Sequence, residues 1–215
     1  MYKGYKDYWE TAHHAYSHWR SELPHWVEYG EKIVALIPDC ASLTRVLDWG
    51  CGGGAISHAL LDAGVAHVIG VDISAANLQE AWHQMADMTG HKAFTTKLIR
   101  EPKDLLSDPA VCAVEIDAIV CVAVFQHMPN KEYARGVLSV MRSLLKKDGV
   151  ALIQSRYDDG NPKFKCKTDE PYGPDNVITR CSWRIEEFWA ELTGAGFKPT
   201  LIKLQESNYA WYLCR

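Results

Sequence analysis

Nothing in this chain is long, apolar and uncharged. The longest uncharged apolar run goes from Ala118 to Phe125, far short of the roughly 20 residues a helix needs to cross a bilayer. The stretch Met1-Tyr2-Lys3-Gly4-Tyr5-Lys6-Asp7 has no apolar centre of the kind a secretory leader uses. A cytoplasmic protein with no membrane partner is the expectation. A basic excess is missing as well: 23 Lys and Arg stand against 27 Asp and Glu, for a net charge of −4. With no Lys/Arg stripe either, nucleic acid is not the expected partner. There is no C-x-x-C pair. The seven cysteines, at 40, 51, 112, 121, 166, 181 and 214, are odd in number, and several sit inside apolar runs where a thiol packs as a small hydrophobe. Reduced thiols are expected. No metal is expected, because Cys166 and Cys181 flank a polar loop without further residues at ligand spacing. Internal repeats and low-complexity tracts are absent.

What is present suits one sizeable domain. The length of 215 residues, with 47% apolar and 23% charged, allows a full core and leaves no room for two ordinary domains. Two helical stretches open the chain, Tyr5 to Arg20 and Pro24 to Ile37, the first carrying Tyr5, Tyr8, Trp9, Tyr16 and Trp19. Strands are then expected at Arg45–Trp49, His67–Asp72, Ala93–Ile99, Ile116–Phe125 and Val150–Ser155. Helices fall between them: Ala55–Ala63 stopped by Gly64, Ala75–Met88 capped by Ser74, and one capped by Asn130 that ends at Gly149. The second of these has Leu78, Ala81, Trp82 and Met85 on its inner face; the third has Ala134, Val137, Leu138, Met141, Leu144 and Leu145. An irregular segment from Arg156 to Cys181, rich in Pro, Gly, Asp and Lys, is long enough to suggest a lid or binding insertion. Ser182 is read as the cap of a last helix with Ile185, Phe188, Trp189 and Leu192, before a hairpin of Lys198–Leu204 and Tyr209–Leu213. This alternation, closed by a hairpin, describes a doubly wound α/β sheet, mostly parallel, with one reversed strand near its edge.

The most informative stretch is Val46-Leu47-Asp48-Trp49-Gly50-Cys51-Gly52-Gly53-Gly54-Ala55. A strand running into Gly-x-Gly and then a helix lets a ligand approach bare backbone. Taken alone it also satisfies the loose dinucleotide fingerprint, with Asp72 at about the right distance for a ribose hydroxyl. Asp48 separates the two readings. A carboxylate two residues before the first glycine repels a pyrophosphate and suits a positively charged, phosphate-free nucleoside. Asp72, closing the next strand, can accept hydrogen bonds from ribose hydroxyls.

Four stretches, in order, resemble the motifs of class I S-adenosylmethionine-dependent methyltransferases. They are Leu47-Asp48-Trp49-Gly50-Cys51-Gly52-Gly53-Gly54; Gly70-Val71-Asp72-Ile73-Ser74; Ile116-Asp117-Ala118-Ile119-Val120 with Val124-Phe125-Gln126-His127-Met128-Pro129; and Leu144 to Ile153, where Asp148 stands in place of the usual Pro or Gly. The resemblance runs from about residue 40 to the C-terminus. It implies seven strands in the order 3-2-1-4-5-7-6, a Rossmann-like domain over 41–215 with a lid at about 156–182, and residues 1–40 as an N-terminal helical cap of the same domain. The implied cofactor is S-adenosylmethionine. Asp48, Gly50, Cys51 and Gly52 would face its methionine part, Asp72 its ribose, Ile73 and Glu101 its adenine, and the backbone of Val124 and Phe125 its reactive methyl. Gln126 and His127 stand where the family places catalytic or positioning groups. His127 reads either as a base, given an ordinary pKa near ~6.5, or as a brace for its loop. Tyr8, Trp9, Arg156 and Tyr157 are the candidate contacts to the methyl acceptor.

The loop Phe-Gln-His-Met-Pro lacks the Asn/Asp-Pro-Pro-Tyr/Phe of enzymes that methylate nucleic-acid bases. It also offers no carboxylate for a catalytic metal. The resemblance therefore implies O- or N-methylation of a small molecule. Two other readings stay open: a nicotinamide-dependent oxidoreductase, for which the only Tyr-x-x-x-Lys is Tyr2 to Lys6, and an inactive cofactor-binding module of the same fold. The sequence gives no indication of oligomeric state.

Overall fold

Residues Val46, Val68, Ala118, Val120 and Leu152 pack toward one side of a central sheet, and Leu47, Ile69, Ile119, Cys121 and Ile153 toward the other. All ten are at most 2% exposed, so both faces are covered and the strands read as continuous apolar runs rather than as alternating ones. Burying an aliphatic side chain of this size contributes about 2 kcal/mol, which makes the two-sided sheet the main source of cohesion. The computed structural model describes residues 3–12, 24–89, 93–170, 172, 177 and 179–215.

Seven strands form one sheet: β1 (Arg45–Trp49), β2 (His67–Asp72), β3 (Phe94–Leu98), β4 (Ile116–Cys121), β5 (Leu145–Arg156), β6 (Pro199–Gln205) and β7 (Tyr209–Cys214). Their order is β3-β2-β1-β4-β5-β7-β6. The first five pair in parallel, and β7 runs against both β5 and β6. The expected topology, with its single reversed strand, is the observed one. The helices are α1 (Lys3–Ala12), α2 (Pro24–Val34), α3 (Ala55–Asp62), α4 (Ala75–Thr89), α5 (Pro109–Cys112), α6 (Lys131–Leu144) and α7 (Ile185–Gly194). Helices α2, α3 and α4 serve the face of Val46 and Val68, while α6 and α7 serve the other. Two caps are where the sequence put them: Ser74 Oγ accepts from the Asn77 amide and Asn130 Oδ1 from the Tyr133 amide.

The first helix is described only to Ala12, and Tyr16 and Trp19 lie outside the described residues. Three readings change. Gly149 does not stop α6: β5 begins at Leu145, directly after the helix. The glycine is needed because a Cβ there would lie 2.7 Å from Leu145 Cδ1 and 2.9 Å from the Asp117 carbonyl. Ser182 does not cap α7. Its hydroxyl donates to the Thr179 carbonyl, and the chain stays extended through Trp183, whose amide donates to the Arg156 carbonyl. The helix then starts behind Arg184, with the Glu187 carboxylate accepting from the Arg184 amide. Trp82 and Trp189, read as facing inward, are exposed; each follows directly on an inward-facing residue, Ala81 or Phe188, and is turned about 100° away from it.

Candidate active site

The carboxyl ends of β1, β2 and β4 open into a cleft of about 1190 Å³, its open mouth included. A crevice beyond the carboxyl ends of parallel strands is where ligands bind in open α/β sheets. The floor is the glycine turn after β1. Gly50 and Gly52 have φ of 74° and 53°, a region that side chains other than glycine enter at a cost of about 1–2 kcal/mol. Gly50 is required twice over, since a Cβ there would sit 2.4 Å from Val124 Cγ2. A Cβ on Gly52 would meet nothing within 4 Å: it would point into the cleft. The turn is pinned to β2, with the amides of Gly50 and Cys51 both donating to the Val71 carbonyl.

Asp72 stands at the end of β2 on the cleft wall. One carboxylate oxygen accepts from the Gly52 amide at 3.0 Å, the other from the Ser74 amide at 2.8 Å. The Asn77 side chain and the Ile73 backbone also hydrogen-bond this carboxylate. Burial raises the Asp72 pKa, partly offset by those backbone donors. Ile73, Ile99 and Asn77 continue this wall. Asp48 is placed differently from the expectation. Only 2% exposed and absent from the wall, it accepts from Ser57 Oγ at 2.7 Å and so ties β1 to α3. Burial pushes its pKa up to about 7, with the charge of Asp72 adding to the rise. Its influence on the cleft is a field, not a contact.

Glu101 also leaves the wall. It pairs with Lys6 of α1 at 2.7 Å, and Ile99 takes the place proposed for it. Helix α1 is held at a second point, Glu10 accepting from the Ala75 amide, and it lays Tyr5 and Trp9 over the cleft. Tyr8 lies behind them, edge-on to Trp9 and Tyr172.

At the far end, Ala123 has φ 57°, an uncommon state for a residue with a side chain. Its amide donates to Gln154 Oε1 at 2.8 Å. Val124 follows on the wall, whereas Phe125 is fully buried against Phe188 and reaches the core instead. Gln126 and His127 both line the cleft. His127 Nδ1 donates to the Val177 carbonyl at 2.8 Å, which leaves Nε2 to accept from the Gln126 amide at 3.1 Å. Burial lowers the His127 pKa to about 4, the neighbouring Arg156 charge adding to the effect. The ring is neutral near pH 7. The long segment after β5 closes on this point from outside: Cys181 donates its amide to the Gln126 carbonyl, and Tyr172 its hydroxyl to the His127 carbonyl.

Arg156 and Tyr157 stand behind the cleft rather than on it. The residue on the wall is Tyr209, the β7 partner of Arg156. Tyr5, Tyr29, Ala123 and Tyr209 were not foreseen as site residues. For Tyr209 a signal existed: an antiparallel strand begins at the edge where its parallel neighbours end, so the first residue of β7 faces the cleft. Among the described residues no three His, Cys, Asp or Glu side chains come together as a metal would need.

Residues 47–151 match the family model described as a methyltransferase domain. A ubiquinone biosynthesis O-methyltransferase from Haemophilus ducreyi is 32% identical over 114 residues, which are 52% of this chain and 44% of that protein. The chain spans less than half the length of the curated relatives of this kind that it matches. Two solved structures share its fold. One is a TehB-like SAM-dependent methyltransferase from Corynebacterium glutamicum, 17% identical with a TM-score of 0.59 over 86% of this chain and 85% of that one. The other is the CcbJ methyltransferase from Streptomyces caelestis, 14% identical with a TM-score of 0.66 over 90% and 96%. The residues present fit the cofactor of this fold: an open glycine floor, and a carboxylate on the cleft wall beside it. With the motif order, the strand order and the match across 47–151 in agreement, the chain carries a methyltransferase domain of the class I, S-adenosylmethionine-dependent type.

Proposed function

We propose that this protein is an enzyme that methylates a small molecule at oxygen. The observation that carries the reading is the pairing of an open floor at Gly52 with the buried Asp72 carboxylate on the cleft wall beside it. Bound there, S-adenosylmethionine supplies a methyl group activated by a sulfonium. The chain's own residues do the rest. Asp72 holds the ribose, Ile73 and Ile99 flank the adenine, and the backbone of Gly50, Cys51 and Gly52 borders the methionine part. The buried carboxylates of Asp48 and Asp72 set a negative potential under the turn that favours a cationic ligand. Val124, Gln126 and His127 border the reacting end, with Gln126 and His127 as positioning groups. Trp9, with Tyr5, closes the cleft over the acceptor.

Residues 1–40 act as a helical cap on the domain of 41–215, and the segment 156–182 acts as its lid. Oxygen is preferred over nitrogen as the methylated atom because the relatives matched by sequence carry an O-methyltransferase name. A cytoplasmic setting belongs to the same proposal, all seven cysteines being unbonded. No helix among the described residues is long and apolar enough to cross a membrane.

The test is transfer of labelled methyl from S-adenosylmethionine to a panel of small phenols, catechols and amines, read beside calorimetry with S-adenosylhomocysteine. Binding of the latter and a labelled ether product are expected. No binding of either nucleoside overturns the reading.

A further inference from the structure

The wall of the cleft carries, at the first residue of β7, a donor that lies outside the four motif stretches. The Tyr209 oxygen receives two N–H groups, from Arg156 Nη2 at 2.6 Å and from Gln126 Nε2 at 3.4 Å. Both neighbours can only donate through those atoms, so the oxygen's lone pairs are occupied. The hydroxyl's own proton has no acceptor among the described residues, and Tyr209 lies on the cleft wall.

Arg156 itself is unusual. It is 6% exposed, and no carboxylate pairs with it among the described residues. Its Nη1 donates to the Ser207 carbonyl, its Nε has no partner, and the guanidinium lies 4.2 Å from the Tyr209 ring centroid and 5.3 Å from that of Phe164. A desolvated cation without a counter-ion is costly unless an anion completes the site. Its charge is felt at His127, which borders the cleft.

We infer that Tyr209, polarised by Arg156 behind it, donates its hydroxyl proton to an oxyanion of the methyl acceptor, and that the acceptor is an aromatic hydroxyl compound bound as its phenolate. This rests on the methyltransferase reading above and gives its substrate a chemical class. A single O–H donor matches a single oxyanion. A carboxylate would call for a two-pronged guanidinium on the wall, and both Arg156 Nη atoms are engaged elsewhere. The rings of Tyr5, Trp9, Tyr29 and Trp49 on the same cleft suit a flat aromatic body.

The arrangement removes the need for a base at the moment of transfer. Both nitrogens of His127 are engaged, Nδ1 to the Val177 carbonyl and Nε2 to Gln126. The acceptor's proton passes to water as it binds. Its oxygen then forms the bond to the methyl carbon while the carbon–sulfur bond breaks and its electron pair stays on sulfur. The phenolate and sulfonium charges cancel. Tyr209 is the contact residue and Arg156 a positioning residue acting through it.

The probe is 4-nitrophenol, whose neutral and ionised forms absorb at different wavelengths, titrated against protein saturated with S-adenosylhomocysteine. Its apparent pKa when bound should fall by about one unit, as expected for a nearby opposite charge. The fall should disappear in Tyr209→Phe and shrink in Arg156→Met, with S-adenosylhomocysteine affinity unchanged in both. An unshifted pKa in the parent, an equal shift in Tyr209→Phe, failure of the probe to bind the loaded protein, or displacement of the probe by equimolar benzoate overturns the inference alone. Should Arg156→Met fail to fold, Tyr209→Phe still decides the matter. Failure of S-adenosylhomocysteine to bind the parent instead overturns the methyltransferase reading.

Discussion

The two ends of the cleft are built in different ways. The end at β1 and β2 is made largely of backbone: the turn at Gly50–Gly52 and the Val71 carbonyl that pins it, with the carboxylate of Asp72 beside them. The end at β4, β5 and β7 is made of side chains drawn from distant parts of the chain, with Gln126, Arg156 and Tyr209 meeting across as many as 83 residues. Backbone geometry of the first kind tolerates few sequences and holds one ligand shape. A side-chain constellation of the second kind can be altered one residue at a time without unfolding the sheet. The contrast assigns constancy to the nucleoside end and choice of acceptor to the other.

Substitutions at the backbone end should therefore have the largest effects, and Gly52→Val the largest of all. Its Cβ would enter open space, so the protein should fold at a cost of about 1–2 kcal/mol for the positive φ while the branched side chain blocks the cleft. Cofactor affinity should drop beyond detection in a calorimeter, with circular dichroism preserved. Retained binding would mean that no ligand lies along the turn. Asp72→Ala comes next. Loss of hydrogen bonds to a charged acceptor should weaken cofactor binding by about 1.5–3 kcal/mol. An unchanged dissociation constant would take the ribose away from Asp72.

The same contrast decides what could be read from sequence. The glycine turn, Asp72 and the strand order are local or topological facts. A positive φ demands glycine where it occurs, and alternating elements leave few ways to wind a sheet. Asp48 was legible as a carboxylate beside the turn, but not as turned toward Ser57, because which way a strand-end carboxylate faces depends on the helix behind it. Glu101 lost its expected place because Lys6, 95 residues earlier in the chain, draws it outward. Phe125 does not line the cleft, since a short helical turn at 125–127 carries it into the core. Arg156 was read as a contact to the acceptor and does not line the cleft. Its partner in β7 stands between it and the cleft.

A proton count sharpens the electrostatic side of the comparison. Asp48 has its pKa raised to about 7 by burial, Asp72 contributing. A cation bound above the turn stabilises the ionised carboxylates and lowers those pKa values again. Binding of S-adenosylmethionine should therefore release protons below about pH 7, and affinity should rise with pH from about 5 and level off near neutrality. Calorimetry at pH 6 in buffers of different ionisation enthalpy measures this directly, and Asp48→Asn should reduce the release. Binding that takes up protons, or none in either direction, would remove the buried pair from ligand recognition. In the free protein the sign is fixed by the same shift. The folded state holds a proton that the unfolded chain has lost, so the Asp48 contribution to stability falls as pH rises from about 4 to 7.

The smallest expected effect is at His127, beside Gln126 at the side-chain end of the cleft. Its pKa is lowered to about 4, chiefly by burial, so between about pH 4 and 6.5 the unfolded chain binds a proton that the folded protein does not. Stability from this residue is present above about pH 6.5 and lost as pH falls toward 4, opposite in sign to Asp48. His127→Asn should flatten that acid limb in denaturant titrations while leaving cofactor affinity at pH 7.5 within about twofold. A neutral imidazole fixed at both nitrogens also predicts that turnover shows no inflection near pH 6.5 in the parent that the variant lacks. An NMR titration placing the His127 pKa near its ordinary value would reverse this. It would free Nε2 from Gln126 and make the ring a base that takes the acceptor's proton in place of water.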